Sequence, residues 1–317
     1  DAARAVIERW IGLGRPIVGA LIHGSIAELG YAQPGADLDL RVVTPCEPQR
    51  EWFEEIQHGE WVVEIYPLDA GELADEEAVL AHPALPFALC GGIIVYDPRG
   101  MLVRVRDRLS SRLCLPQHRR ARIAVCYKGA MRSLAEARTA LGREEVGAAL
   151  SGLVTGLWHA VGIPAGAECR SPTVRRAFTL LSDAAARWDR PDLIERAKEL
   201  LAPGSITEPE ARRLVGEAAE IKARHRTMIE PMLDEGHVWQ AAWPLLWAAI
   251  LDAPRDGSRA VAARGHILRA LRLDTEEEVG ARLAATEEWL GALRDAAEER
   301  VRAQESNAGP IAPPDVR

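Results

Sequence analysis

Two acidic residues near the start of the chain have the types and spacing needed to bind a divalent cation. Asp37 and Asp39 lie in the run Asp37-Leu38-Asp39-Leu40, in which acidic and apolar residues alternate. Alternate side chains of a β-strand share a face, so both carboxylates would project from one side. Two adjacent carboxylates repel each other unless a cation lies between them, and an all-oxygen pair suits Mg²⁺. We therefore predict a magnesium site at Asp37 and Asp39.

Glu64 is a third acidic residue that belongs to the same prediction. It interrupts the apolar run 61–66, which has the pattern of a strand. A buried carboxylate without a partner is costly in such a strand. A metal ion shared with Asp37 and Asp39 would provide that partner.

Gly24 and Ser25 follow the apolar run 17–22, which we predict to be a buried strand. A glycine at the end of a strand lets the backbone approach a phosphate closely. A serine hydroxyl and the N–H groups at the start of a following helix can hold phosphate oxygens. This pair is therefore the predicted phosphate-binding turn.

Lys128 is the candidate for a further phosphate contact. It lies in the otherwise apolar segment 123–131, which has helical periodicity. A lysine in that setting either extends its head group to solvent or contacts an anion. We favour the anion, with Arg132 one turn later on the same helix face as a second candidate.

The remaining pattern divides the chain into a mixed first part and a helical second part. Strands are predicted near 17–22, 38–43, 61–67 and, fourth, 92–96, after an opening helix from Ala2 to Ile11. Beyond residue 112 the periodicity is helical, and Thr207 begins a capping box. We predict an α+β fold with domains at 1–112 and 113–304, followed by a disordered tail at 305–317. The predicted helices are 119–141, 144–161, 172–187, 190–202, 208–234, 237–251, 258–272 and 275–303.

The N-terminal pattern resembles the nucleotidyltransferase superfamily of the DNA polymerase β type. The resemblance rests on Gly24, Ser25, Asp37, Asp39 and Glu64 in their order and strand context. It covers about the first 110 residues. Two further short stretches, 60–64 and 96–100, are similar to those of small-molecule nucleotidyltransferases such as the kanamycin and lincosamide resistance enzymes.

The resemblance implies a fold, a reaction and a set of roles. The fold would be a catalytic mixed sheet followed by an all-α, substrate-binding domain. Two Mg²⁺ ions would be held by Asp37, Asp39 and Glu64, and an NMP would pass from an NTP to a hydroxyl of a small molecule with release of pyrophosphate. Gly24, Ser25 and Lys128 would hold the phosphates, because related enzymes place a basic residue from the first helix after the catalytic domain on the triphosphate.

One position departs from the kanamycin-type pattern. Those enzymes use a carboxylate of the helical domain as general base, and an alignment through Tyr96-Asp97 places Lys128 near that position. The departure weakens the case for an aminoglycoside acceptor. Glu136, Glu144 and Glu145 are the alternative bases, and the sequence does not rank them. Glu64 is the remaining candidate to accept the hydroxyl proton.

Composition and charge narrow the class of protein. The net charge of −8 argues against a nucleic-acid substrate. The five scattered cysteines form no Cys-x-x-Cys pair, which argues against a disulfide framework or a zinc site. We find no apolar stretch of membrane-spanning length and no signal peptide, so a cytoplasmic protein without a membrane partner is expected.

A basic segment complicates this picture. Residues 104–143 contain eleven Arg or Lys and two acids, a net charge of +9. A solvated helix face, a wall of the triphosphate site and a groove for nucleic acid are the three interpretations.

Trp239, Trp243 and Trp247 form a second conspicuous pattern, spaced by four residues. We interpret this stripe as packing in a core or a homodimer contact, in preference to a stacking platform for substrate. Pro244 lies between them and should kink the helix or begin a new one.

Three functions are compatible with the sequence. The first is nucleotidyl transfer to a small molecule, for antibiotic resistance or biosynthesis. The second is a toxin-like nucleotidyltransferase acting on tRNA or protein, which the basic segment keeps open. The third is a non-catalytic nucleotide-binding module, against which the presence of all three carboxylates argues.

Overall fold

The computed structural model describes residues 1–29, 37–49, 52–59, 61–172, 177–201, 206–221, 224–251 and 258–307. The described strands are β1 (Gly19–His23), β2 (Leu38–Thr44), β3 (Glu54–His58), β4 (Trp61–Asp69) and β5 (Ile93–Tyr96). The described α-helices are α1 (Ala2–Gly12), α2 (Gly24–Leu29), α3 (Glu76–Ala81), α4 (Leu85–Gly91), α5 (Met101–Ser110), α6 (Pro116–Leu141), α7 (Val146–Ala167), α8 (Ala177–Arg187), α9 (Pro191–Leu201), α10 (Glu208–Ile221), α11 (Arg224–Asp234), α12 (Ala242–Ile250), α13 (Ser258–Ala270) and α14 (Glu276–Asn307). The predicted α+β class, a mixed sheet followed by helices, is confirmed.

Chain contacts divide the structure into two compact units. Unit 1 comprises Asp1–Ala121 together with Cys169–Ser171, and unit 2 comprises Arg122–Glu168 and Pro172–Ser306. Helix α6 contributes residues to both units. Every strand of the described residues lies in unit 1, and the described part of unit 2 is helical.

The sheet of unit 1 has the strand order β3-β4-β2-β1-β5. Strands β2 and β4 are parallel, and every other neighbouring pair is antiparallel. The four predicted strands are present, and β3 is a fifth that the sequence pattern did not predict. The sheet is therefore mixed, with the acidic strands β2 and β4 side by side near its centre.

Each face of this sheet packs against its own helices. On one face, α1 buries Val6, Ile7 and Trp10 against alternate residues of β2 and β4, including Leu40 and Ile65. On the opposite face, helices α3, α4 and α5 and the 3₁₀ turn Ala70–Leu73 form a second apolar cluster with residues of β1, β2 and β4. Residues two apart in a strand share a face. Asp39 and Glu64 therefore project from this second face, which they share with Val43 and Leu68.

Unit 2 is built around helix α7. This helix has 22 residues and no Asp, Glu, Lys or Arg, and its length and composition would allow it to cross a membrane. The expectation that no such stretch exists was therefore wrong. In the structure Leu153, Val154 and Leu157 of α7 are fully buried in the core of unit 2, and core helices have the same apolar composition.

Several helix boundaries follow from local signals. Thr207 accepts the backbone N–H of Glu210 at 3.4 Å, which confirms the predicted start of α10. The segment predicted as one helix over 208–234 forms α10 and α11, and residues 222–223 lie outside the described residues. Pro244 lies in the first turn of α12, which begins at Ala242, so the proline helps to begin a new helix.

The tryptophan stripe lies in the core of unit 2. Trp243 is fully buried, Trp239 and Trp247 pack partly buried against the same cluster, and the Trp243 and Trp247 rings are 5.6 Å apart. Phe178 of α8 contacts both Trp239 and Trp243. This arrangement agrees with the core alternative of the prediction.

The structure contains a disulfide between Cys114 and Cys169, contrary to the sequence-based expectation. The two residues are 55 positions apart, and their Cα atoms lie 5.6 Å from each other. Spacing along the chain gave no indication of this pair, because the fold brings together two segments that are distant in sequence. Cys46, Cys90 and Cys126 are free thiols.

The last helix, α14, extends further than predicted. Helix α14 extends to Asn307, into the segment predicted to be disordered from residue 305. Residues 308–317 lie outside the described residues.

Candidate functional site

The acidic residues meet where β2 and β4 run side by side. Asp39 of β2 is paired with Glu64 of β4 in the parallel register, so both side chains project from the same face of the sheet. Asp37 directly precedes β2, two residues before Asp39. The pairing of β2 with β4 thus places Asp39 next to Glu64. Asp37 lies just before the start of β2, close to this pair.

Gly24 closes the site on the β1 side. His23, the last residue of β1, is paired with Asp39, and Gly24 follows with a positive φ of 71°. A Cβ built on Gly24 would lie 2.1 Å from Oδ2 of Asp39. The Asp39 carboxylate therefore occupies the space that any larger residue at position 24 would need.

Tyr66 fixes one oxygen of Glu64. Its hydroxyl donates a hydrogen bond to Oε2 of Glu64 at 2.5 Å. Burial, this hydrogen bond and the negative charge of Glu64, in that order, raise the pKa of Tyr66 above its usual value of 10.0. Asp39 and Asp37 add to the same effect. The phenol thus stays protonated, and all three carboxylates are near enough to influence it.

Two basic residues lie on the same face. The His23 ring is 5.7 Å from the Tyr66 ring, and burial together with the nearby charge of Arg41 lowers the pKa of His23 to about 3. Arg41 lies two residues after Asp39 and is paired with Tyr66. Burial lowers the pKa of Arg41, and the charges of Tyr66, Asp39 and Glu72 oppose that effect. A neutral histidine and a charged arginine therefore flank the acidic residues.

The donor set fits magnesium in its chemistry. Mg²⁺ in phosphate-transfer sites takes one or two carboxylates and completes its shell with water and substrate phosphates. Asp39 and Glu64 offer two carboxylates from paired positions beside the space at Gly24. Among the residues that the structure describes, no three His, Cys, Asp or Glu side chains form a ready-made metal cage. Asp39 and Glu64 would thus supply two oxygen ligands to such an ion.

The structure gives less information on Ser25 and Lys128, the other predicted phosphate ligands. The backbone of Ser25 belongs to α2, and its side chain lies outside the described residues. Lys128 lies on α6 in unit 2 with an exposed side chain, and Arg132 is exposed on the same helix. The contact of Lys128 with a triphosphate stays a prediction.

The basic segment 104–143 has several internal partners. Arg108 and Arg112 form ion pairs with Glu76, and Arg112 also pairs with Glu77. Arg106 donates hydrogen bonds to the carbonyl oxygens of Leu89 and Gly92. These three of the eleven basic residues of the segment are thus engaged within unit 1, by ion pairs or by hydrogen bonds to carbonyl oxygens.

Three residues of this face were missed by the sequence reasoning. Tyr66 and Arg41 each follow a predicted site residue by two positions, so strand alternation could have found both. Glu55 is paired with Glu64 across β3 and β4, which adds a fourth carboxylate to the face. Glu55 could not be found in this way, because β3 lacks the apolar run that marks a strand.

Comparisons with known proteins add little to this geometry. No protein-family model matches the chain, and no curated protein matches it. Among solved structures, the chain is similar to a nucleotidyltransferase-like protein from Exiguobacterium sibiricum 255-15, with 14% identity and a TM-score of 0.36. The match covers 92% of this chain and 89% of that one. A likeness at this distance carries no argument about function, which has to come from the site itself.

Proposed function

We propose that the chain is a magnesium-dependent nucleotidyltransferase, which moves an NMP from an NTP to a hydroxyl of a small molecule. One observation carries the proposal. Asp39 and Glu64 occupy paired positions of neighbouring parallel strands, and the Asp39 carboxylate lies against Gly24, which directly follows β1. The paired carboxylates offer oxygen ligands for a metal, and the absence of a side chain at Gly24 leaves room for the Asp39 carboxylate.

Each residue of the site has a role in the proposal. Asp37, Asp39 and Glu64 would hold two Mg²⁺ ions once a nucleotide adds its own oxygen ligands, and the ions would then neutralise phosphate charge and acidify the acceptor hydroxyl. Gly24 and Ser25 bind the phosphates through the turn after β1. Lys128 is the residue proposed to contact the β- and γ-phosphates.

The chemistry is an in-line substitution at the α-phosphorus. The acceptor oxygen forms a bond to the α-phosphorus, and the bond from that phosphorus to the bridging oxygen of the β-phosphate breaks. Pyrophosphate leaves with that oxygen, and the hydroxyl proton passes to Glu64 as general base. Tyr66 orients Glu64 for this step, because it holds one carboxylate oxygen by its hydrogen bond.

A small molecule is the proposed acceptor for reasons of charge. The chain carries a net charge of −8, and Arg108 and Arg112 of its basic segment are already paired with Glu76 and Glu77. A nucleic-acid acceptor would need unpaired cations along its backbone.

Transfer from labelled NTPs tests this proposal. The protein is incubated with each α-labelled NTP, Mg²⁺ and a panel of hydroxyl-bearing acceptors that includes antibiotics, sugars and tRNA. The proposal expects label on a small molecule and release of pyrophosphate, both lost when EDTA is added. Label that appears on tRNA or protein in place of a small molecule would contradict the proposed acceptor.

A further inference from the structure

Arg41 is the arginine on the acidic face of the sheet. It lies on β2 two residues after Asp39, paired with Leu21 of β1 on one side and Tyr66 of β4 on the other. Residues two apart in a strand share a face, so its side chain leaves the sheet on the side of Asp39 and Glu64. The guanidinium is therefore part of the same site as the carboxylates.

The Arg41 guanidinium makes no hydrogen bond or ion pair with the described residues. Its Nε atom is enclosed and has no hydrogen-bond acceptor, and the described side chains form no ion pair with it. Two other arginines of unit 1 have acceptors for the same groups: Arg112 pairs with Glu76 at 2.8 Å, and the Nε of Arg106 donates to the Leu89 carbonyl at 2.9 Å. Arg41 is thus a partly enclosed cation that has no counter-ion in contact among the described residues.

The described acidic neighbours of Arg41 do not supply this counter-ion. Asp39 and Glu72 influence Arg41 electrostatically, but neither makes an ion pair with it in the described structure. Glu72 accepts the backbone N–H of Asp69. An enclosed charge without a partner is costly, so the position indicates a ligand that brings negative charge.

The surroundings hold the guanidinium in a form that suits phosphate. Its central carbon lies 5.9 Å from the centre of the Tyr66 ring, within the range of a cation–π contact. Arg41 as a whole is partly exposed, so a ligand can reach the outer nitrogens although Nε is enclosed. A planar fork of this kind binds phosphate oxygens in pairs.

We propose that Arg41 binds the phosphate chain of the nucleotide, as the anion-recognition residue that unit 1 itself supplies. The inference rests on the proposed nucleotidyl transfer for the identity of the ligand. The competing role is a fixed counter-charge that only offsets the repulsion among the carboxylates. A phosphate ligand depends on the guanidinium fork, whereas a counter-charge depends on the positive charge alone.

Binding of pyrophosphate and of a non-hydrolysable NTP analogue tests the inference by calorimetry in Mg²⁺. The variants are Arg41→Gln, Arg41→Lys and, as a matched control, Arg104→Gln, which removes an exposed arginine of the same unit. We expect Arg41→Gln to weaken pyrophosphate and NTP binding about ten- to a hundredfold, the loss of hydrogen bonds to a charged group. Arg41→Lys should lose most of this affinity too, and Arg104→Gln should bind like the wild type.

Folding is checked by melting temperature without ligand. Because Arg41 is partly enclosed without a counter-ion in contact, Arg41→Gln should melt no lower than the wild type, and only its stabilisation by pyrophosphate should be lost. Unchanged pyrophosphate binding in Arg41→Gln would overturn the inference. Full binding in Arg41→Lys would overturn it too, in favour of the counter-charge role.

The two proposals fail in different ways. Wild-type transfer activity together with normal pyrophosphate binding in Arg41→Gln would remove Arg41 and leave nucleotidyl transfer intact. Pyrophosphate binding that depends on Arg41, without transfer to any acceptor, would keep the anion site and remove the transfer reaction. A wild type that binds neither pyrophosphate nor the NTP analogue would overturn both.

Discussion

At the scale of single residues, Gly24 and Asp39 form the tightest constraint in the site. The Asp39 carboxylate lies where a Cβ of residue 24 would be, and Gly24 itself has a φ that favours glycine. The sequence indicated a close backbone approach at this turn. It could not show that an acidic side chain from the neighbouring strand fills the space, since that depends on the register of β1 and β2.

Substitution of Gly24 by alanine should therefore damage the site more than the fold. We expect Gly24→Ala to displace Asp39 and to reduce nucleotidyl transfer about a hundredfold or more, the size of effect seen when a reacting phosphate loses a key stabilising group. Gly14→Ala is the matched control, because Gly14 has a similar φ of 74° and open space around its Cβ position. Equal loss of activity in both variants would show that backbone strain, and not Asp39, is responsible.

Tyr66 offers a second prediction at this scale. Tyr66→Phe removes the hydrogen bond to Glu64 and leaves the ring against His23. We expect kcat to fall about tenfold, the lower end of the value of a hydrogen bond to a charged group, with little change in KM for the NTP. Tyr96→Phe, a tyrosine of the same unit on β5, serves as control. A kcat for Tyr66→Phe equal to that of the control would remove the orienting role of Tyr66.

At the scale of elements, alternation was the informative signal. The acidic residues of β2 and β4 sit in apolar strands, so their shared face could be predicted from the residues alone. Strand β3 was missed because it pairs only with β4 and only its Ile56 is buried, which leaves no apolar run. Strand β3 lies between β2 and β4 in the sequence and turns the chain around, so β4 can run parallel to β2. That parallel pairing brings Asp39 beside Glu64.

The cap of helix α4 gives a prediction with a pH dependence. His82 accepts the backbone N–H groups of Ala84 and Leu85 through Nδ1, at 3.1 and 3.0 Å. Burial, and secondarily the charge of Arg41, lowers the pKa of His82 below 6.5. As the pH falls, His82 is protonated in the unfolded chain before it is protonated in the folded protein. Its contribution to stability is therefore present above pH 6.5 and declines as the pH falls below that value.

Two substitutions distinguish the stabilisation by the His82 hydrogen bonds from the effect of His82 protonation. We expect His82→Ala to lower the free energy of unfolding by about 1 kcal/mol at pH 8, the usual cost of losing a cap. His82→Asn should keep an acceptor and lose less, and its stability should fall less than that of the wild type between pH 8 and pH 5. Denaturant unfolding at these two pH values measures both effects. Parallel declines in wild type and His82→Asn would contradict the assigned titration.

At the scale of the whole molecule, the two units were foreseeable only in outline. A mixed first part and a helical second part follow from the change of periodicity along the chain. The return of Cys169 to unit 1 does not, because a short segment after a long core helix carries no sequence signal of where it will pack. The same physical reason hid the disulfide, which joins two cysteines that are distant in sequence.

The disulfide should contribute to stability as a cross-link of unit 1. Reduction, or the change Cys114→Ser, should lower the free energy of unfolding by about 2–4 kcal/mol, because a closed loop limits the unfolded chain. Cys46→Ser is the control, since Cys46 is an exposed free thiol. Thermal unfolding with and without reductant measures the effect. A melting temperature that is insensitive to reductant would show that the bond does not constrain the chain.

The most direct test of the account is NMP transfer by variants that each lose one carboxylate. Asp39→Asn and Glu64→Gln keep the size of each side chain and remove a charged metal ligand, and Glu55→Gln makes the same change one strand further out on the same face. We predict that the first two lose transfer of labelled NMP by about a hundredfold or more while remaining folded, and that Glu55→Gln stays within a few fold of the wild type. Near wild-type transfer in both Asp39→Asn and Glu64→Gln would contradict the central claim that these paired strands form the active site.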